Sequence, residues 1–189
     1  MKKPSSEIIQ VSNLSTYFFD KLYQLNQSAV CPLPEETLFY ASNVLNKYAQ
    51  SSMYFDFSGD KVTEKVYGMA LLKAESESKS VKEKMYKDIA DSTLVLTSMF
   101  EASINKKIIT KNYYTEIGKT AYSKMHDLDQ DFMGIPHFYR MMASSFDHLA
   151  FMIKSIGRES FFQDQAVFIL ISSATDSTIA SYFILLVQL

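Results

Sequence analysis

The sequence predicts an all-α, single-domain bundle of six or seven helices. Two kinds of observation carry this. Only 5 glycines and 4 prolines punctuate the 189 residues, too few breaks for a many-turned β fold. Apolar residues recur at spacings of three and four along most of the chain, which is the signature of amphipathic helices. At 47% hydrophobic and 21% charged residues, the chain has globular proportions, and its length suffices for one core without disulfides or structural metal. Residues 1–12 read as a tail and residues 13–189 as the domain.

The first helix is expected from Asn13 to Asn26, with Leu14, Tyr17, Phe18, Leu22 and Leu25 as its stripe and Ser12 or Asn13 as its cap. Pro32-Leu33-Pro34-Glu35-Glu36 opens the second, because proline and early carboxylates suit a helix N-terminus. Leu38, Ala41, Leu45 and Tyr48 form its stripe. Residues 51–60 read as a loop whose Tyr54, Phe55 and Phe57 tuck onto the core, and a third helix is expected over Lys61 to Ser76. Ser80-Val81-Lys82-Glu83 matches a capping box for the fourth. Its apolar arc, from Met85 and Ile89 through Leu94 and Val95 to Phe100, is wide enough for a central helix. Thr110 caps the fifth, carried by Tyr113, Tyr114, Ile117, Ala121, Tyr122 and Met125. The sixth starts at Pro136, shows the stripe Phe138, Met142, Phe146, Leu149, Ile153 and Ile156, and stops at Gly157.

Residues 158–189 form an apolar terminal segment, expected to pack on the domain or on a partner. From Ala166 to Leu189 it reads AVFILISSATDSTIASYFILLVQL. A membrane span would put Asp176 near the bilayer centre, at a cost of about 3 kcal/mol. A shared surface with a second chain fits better than a span.

Several function classes are disfavoured. Nineteen basic against 21 acidic residues give a net charge of -2, which provides no summed positive field for nucleic acid. Cys31 is the lone cysteine and fits a reducing compartment, so cytoplasmic localisation is expected. The start, Met1-Lys2-Lys3-Pro4, has no apolar run of a secretory signal behind it. No phosphate-binding glycine loop and no Gly-x-Ser-x-Gly elbow occurs.

Metal chemistry finds little support in the spacing. His137 and His148, eleven residues apart on one expected helix, stand about 16 Å apart, and there is no His-x-x-x-His or Glu-x-x-His pair. Asp127-Leu128-Asp129-Gln130-Asp131 resembles the opening of a calcium loop, but Phe132 and Phe138 stand where glycine and glutamate are required. The stretch reads instead as a solvated acidic linker between the fifth and sixth helices, and no metal or other cofactor is expected. Asp88 and Asp91 are the carboxylates of interest, since Asp91 falls inside the apolar arc of the fourth helix. A buried acid either lines a pocket for acid/base work or accepts hydrogen bonds from a tyrosine hydroxyl or a neighbouring helix terminus. The second is favoured, with 12 tyrosines in the chain.

The stretch Asp91 to Leu96, then Phe100, Tyr113-Tyr114, Ile117-Gly118 and Ala121-Tyr122, resembles a pattern in uncharacterised helical proteins of bacteria. It covers about a third of the chain. The resemblance implies a bacterial origin and an all-helical fold, and it brings no activity, cofactor or site residues. Gly118 in mid-helix gains meaning from it, because such a glycine costs about 1 kcal/mol against alanine and is kept for close backbone approach.

The expected function is a non-enzymatic protein-interaction or regulatory bundle, self-associating as a homodimer. Its interface residues would be Tyr139 and Met141 on the sixth helix with Phe168, Tyr182 and Phe183 in the terminal segment. One alternative is a pocket for a small apolar or aromatic ligand formed by Asp91, Tyr113, Tyr114, Tyr122, Met142 and Phe146. A second is an acid/base or metal enzyme around Asp88, Asp91 and His148.

Overall fold

The computed structural model describes residues 14–48, 55–58, 61–104, 110–128 and 131–162. Within them the chain is a helical bundle: α1 (Leu14–Gln27), α2 (Glu35–Lys47), α3 (Tyr67–Ala74), α4 (Lys79–Met99), α5 (Glu101–Ile104), α6 (Lys111–Leu128), α7 (Phe138–Ser144) and α8 (Phe146–Phe162). Two antiparallel hairpins, β1 (Phe55–Ser58) with β2 (Lys61–Glu64) and β3 (Asp131–Phe132) with β4 (Ile135–Pro136), complete it. No helix among the described residues is long and apolar enough to cross a membrane.

α4 is the central helix. From Ile89 to Val95 every residue is buried, polar ones included. Its neighbours are α6 above all, then α8, α3, α5 and α2. Small side chains make this possible. Ser92, Thr93, Thr97 and Ser98 turn their hydroxyls back onto carbonyls three or four residues earlier at 2.5–3.2 Å, so the buried polar atoms are satisfied within the helix itself. On α6 the matching position is Gly118. A Cβ there would meet Thr93 Oγ1 and Phe146 Cε2, each at 2.5 Å. The glycine is thus required by the approach of α4, α6 and α8.

Around this centre, α1 packs on α2 and α8. Phe18 and Leu22 of α1 join Leu38, Ala41 and Leu45 of α2 in the core. Asn26, buried at the end of α1, donates to the Leu33 carbonyl at 2.9 Å and accepts from the Leu33 N–H at 2.8 Å. Those two bonds fasten the α1–α2 connection. Pro34 then caps α2, with Glu35 and Glu36 in its first turn.

Four local expectations change. The segment from Lys61 to Glu64 pairs with Phe55–Ser58 as a strand, so α3 begins only at Tyr67. Gly59-Asp60, a dipeptide suited to a two-residue hairpin, lies between the paired ends Ser58 and Lys61. The capping box does not form: the Lys82 N–H already bonds the Ser78 carbonyl at 2.8 Å, which puts Ser80 inside the first turn. Asp131 belongs to a hairpin and not to an acidic linker, and Met133 and Gly134 at its turn both have positive φ. Finally, the expected sixth helix is two. Ser145 separates α7 from α8, Pro136 lies in β4, and Gly157 is passed without a stop. The apolar stretch from Ala166 onward lies outside the described residues.

Gly118→Ala gains about 1 kcal/mol of helix propensity but forces an atom into Thr93 and Phe146. We expect a net loss of about 1–3 kcal/mol from overpacking, read as a lowered denaturant midpoint with unchanged slope.

Candidate functional site

Two places concentrate chemistry. The first is the polar knot on α4. Asp91 is 1% exposed, and its Oδ1 accepts hydrogen bonds from Tyr40 on α2 at 2.7 Å and from Tyr122 on α6 at 2.8 Å. Its Oδ2 is 3.4 Å from the Lys87 ammonium one turn earlier. Lys87 also donates to the Tyr40 hydroxyl and stands 4.1 Å from the centre of that ring. Two hydroxyl donors and an ammonium thus surround the carboxylate, the kind of partnering a buried charge needs.

Asp88, one turn back, is half-buried. Tyr48 donates to its Oδ1 at 2.6 Å, while Lys65 and Lys47 approach at 3.1 and 3.4 Å. Burial pushes the Asp88 carboxyl up, but the Tyr48 hydrogen bond and the two lysine charges outweigh it, and its pKa lies below the ordinary carboxylate value. Asp88 is therefore an ionised anchor at neutral pH and has no proton to give as a general acid. Burial first, then the Asp91 charge, drives the Tyr40 and Tyr122 hydroxyls well above the usual phenol range. Tyr48 follows for the same reasons, with Asp88 as its nearest charge.

Around Tyr40 the rings of Phe132, Phe138, Tyr139 and Tyr122 pack with centroids 5.1–6.5 Å away. Tyr122, Met142 and Phe146 have no exposed surface and belong to the same core. Tyr113 and Tyr114 stand about 12 Å further along α6, where Tyr114 packs on Tyr67 of α3 at 6.0 Å. The six residues expected to line one ligand pocket therefore divide between the Asp91 knot and the α3 end of α6. Tyr139, expected at an interface, is 3% exposed because its ring completes the aromatic packing beside Tyr40. Met141 is half-buried and accepts from Thr37 at 3.7 Å through its sulfur. Phe168, Tyr182 and Phe183 lie outside the described residues.

The second place is a cleft of about 390 Å3 between the α1–α2 connection and α8. Leu25, Ala29, Val30 and Cys31 line one side, and His148, Phe151, Met152 and Ser155 the other. Val30 is 99% and Phe151 67% exposed. His148 faces this cleft and is not a hydrogen-bond partner of Asp88 or Asp91, so the three expected members of an acid/base centre are not joined. Sequence spacing gave no sign of the cleft, since its walls lie more than a hundred residues apart; only the outward position of Phe151, off the apolar stripe of its helix, could have flagged it.

No protein-family model, no curated protein and no solved structure matches this chain.

Replacing the Asp91 carboxylate leaves two buried hydroxyls without their acceptor. Asp91→Ala is expected to lose about 3–5 kcal/mol in chemical unfolding, whereas Tyr113→Phe, at an exposed ring, changes stability little. The tyrosines give a pH signature as well. Unfolded phenols ionise near about pH 10, while Tyr40, Tyr48 and Tyr122 resist ionisation in the fold. Their contribution is complete below that pH and declines as pH rises above it. Phenolate absorbance should show these three appearing only with loss of helical circular dichroism.

Proposed function

We propose that the protein is a non-enzymatic interaction module that self-associates, and that its contact surface is the cleft between α8 and the α1–α2 connection. One observation carries this reading: Phe151, two-thirds exposed, stands beside the fully exposed Val30 at the mouth of an apolar hollow floored by Leu25 and Met152. A protruding ring and a hollow on the same patch suit a two-fold contact, because each copy's Phe151 can enter the cleft of the other. Burying such a ring contributes about 1.5–3 kcal/mol, and a two-fold contact gains it twice.

The polar chemistry supports a non-catalytic reading. Asp88 and Asp91 have tyrosine and lysine partners that hold helices together, and neither lines the α8 cleft. A second reading has the cleft volume in its favour, since about 390 Å3 lies within the range of small-ligand sites, about 300–1,000 Å3. The occupant would then be a small apolar molecule.

Sedimentation velocity of the full chain and of Phe151→Glu decides between them. We expect a dimer for the parent chain, and a monomer with unchanged helical circular dichroism for the variant. Monomers in both cases would end the self-association reading, and a ligand mass retained in native mass spectrometry would then favour the second.

A further inference from the structure

His126 and His137 are eleven residues apart in sequence, one in the last turn of α6 and the other just before α7. The β3–β4 hairpin turns the chain back between them, so that their imidazole centroids are 5.3 Å apart with ring planes at 71°. We propose that these two side chains form a binding site for a divalent transition-metal ion of the zinc class, with the remaining coordination positions open to water or to a donor atom of a ligand.

Three observations converge. Two imidazoles bound to one tetrahedral ion through nitrogens at about 2.0–2.1 Å have ring centres about 5 Å apart, and the observed separation already matches. His126 is 6% exposed, and its Nδ1 has no hydrogen-bond partner among the described residues. A buried nitrogen left in that state is unfavourable, and a metal ion supplies the missing partner, since neutral imidazole is its natural ligand. The third observation is independent of the first two. His137 has a left-handed backbone, φ 57 and ψ 23, a conformation that non-glycine residues adopt at a cost, though histidine does so more often than most. That backbone is held in place: its carbonyl starts α7 by accepting from Met141 at 3.1 Å, and its N-terminal neighbour Pro136 is paired in the hairpin.

Among the described residues no third imidazole, thiol or carboxylate completes a closed set. The site is therefore of the open kind, which binds metal more weakly than a four-ligand structural site and leaves positions for exchangeable donors. It shares no residue with the α8 cleft, so it stands or falls apart from the self-association reading.

Calorimetric titration of the full chain with zinc chloride tests it, alongside His137→Ala, which changes an exposed residue, and His148→Ala as control. We expect one zinc ion per chain, binding weakened about tenfold or more in His137→Ala, and no change in His148→Ala. Imidazole NMR resonances of the parent chain give a second reading that needs no variant: those of His126 and His137 should move with zinc while that of His148 stays. Absence of zinc binding, equal binding by the parent and His137→Ala, or a response confined to His148 would overturn the proposal.

Discussion

A carboxylate in the middle of the bundle constrains everything packed against it. Asp91 needs donors in a place water does not reach, and it takes them from α2 through Tyr40 and from α6 through Tyr122, with Lys87 of its own helix opposing the charge. An unpartnered buried carboxylate costs several kcal/mol, so only arrangements that deliver both hydroxyls are low in energy. Rotating α4 by one residue, about 100°, would carry the charge away from both. The knot therefore fixes which face of α4 meets which helix, a selectivity that apolar contacts alone do not provide because they are non-directional.

The same knot requires close packing. Tyr122 reaches Asp91 only because α6 lies near α4, and α6 lies near α4 because Gly118 has no side chain to hold it off Thr93 and Phe146. Thr93 in turn is tolerated in the interior because its hydroxyl is satisfied by the Ile89 carbonyl at 2.8 Å. One small residue, one back-bonded hydroxyl and one buried acid thus depend on each other. The surface charges reinforce the arrangement at its edges: Glu101 pairs with Lys111 of α6 and Lys154 of α8, and the Lys154 hydrogen bond, opposed by modest burial, holds that carboxyl below its ordinary pKa.

Much of this was legible in the sequence because it rests on local periodicity. The helices followed from apolar spacing, Asp91 stood out as an acid within an apolar arc, and Gly118 as a costly residue kept for proximity. What escaped depends on contacts distant in sequence or on backbone states that periodicity does not encode. Lys61 to Glu64 has too few apolar residues to separate helix from strand, and its pairing with Phe55–Ser58 decides the matter. The stripe through Phe138, Met142, Phe146 and Leu149 runs across the break at Ser145 without interruption, because both helices bury the same face there. Tyr139 looked like a surface aromatic since its position lies off that stripe, yet the break lets α7 turn its ring toward Tyr122, with centroids 6.4 Å apart. The His126–His137 approach has no sequence signature, because a chain reversal makes it, and the cleft has none beyond Phe151 lying off its stripe.

The outward face of α8 is one part of the bundle whose composition the core does not explain. Leu149, Met152, Ile153 and Ile156 are buried against α4 and α1, so the helix already has its packing face, and Phe151 points away from it. A single exposed apolar residue is ordinary in a folded protein. Phe151 is grouped with Val30, which lies on a connection that the Asn26 side chain fastens by two hydrogen bonds to the Leu33 backbone. A fastened connection has surrendered the freedom to fold its valine inward, and the energetic cost of leaving both side chains in water persists in the isolated chain. The self-association proposed above would remove that cost, and the rigid mounting would leave little further ordering to be done.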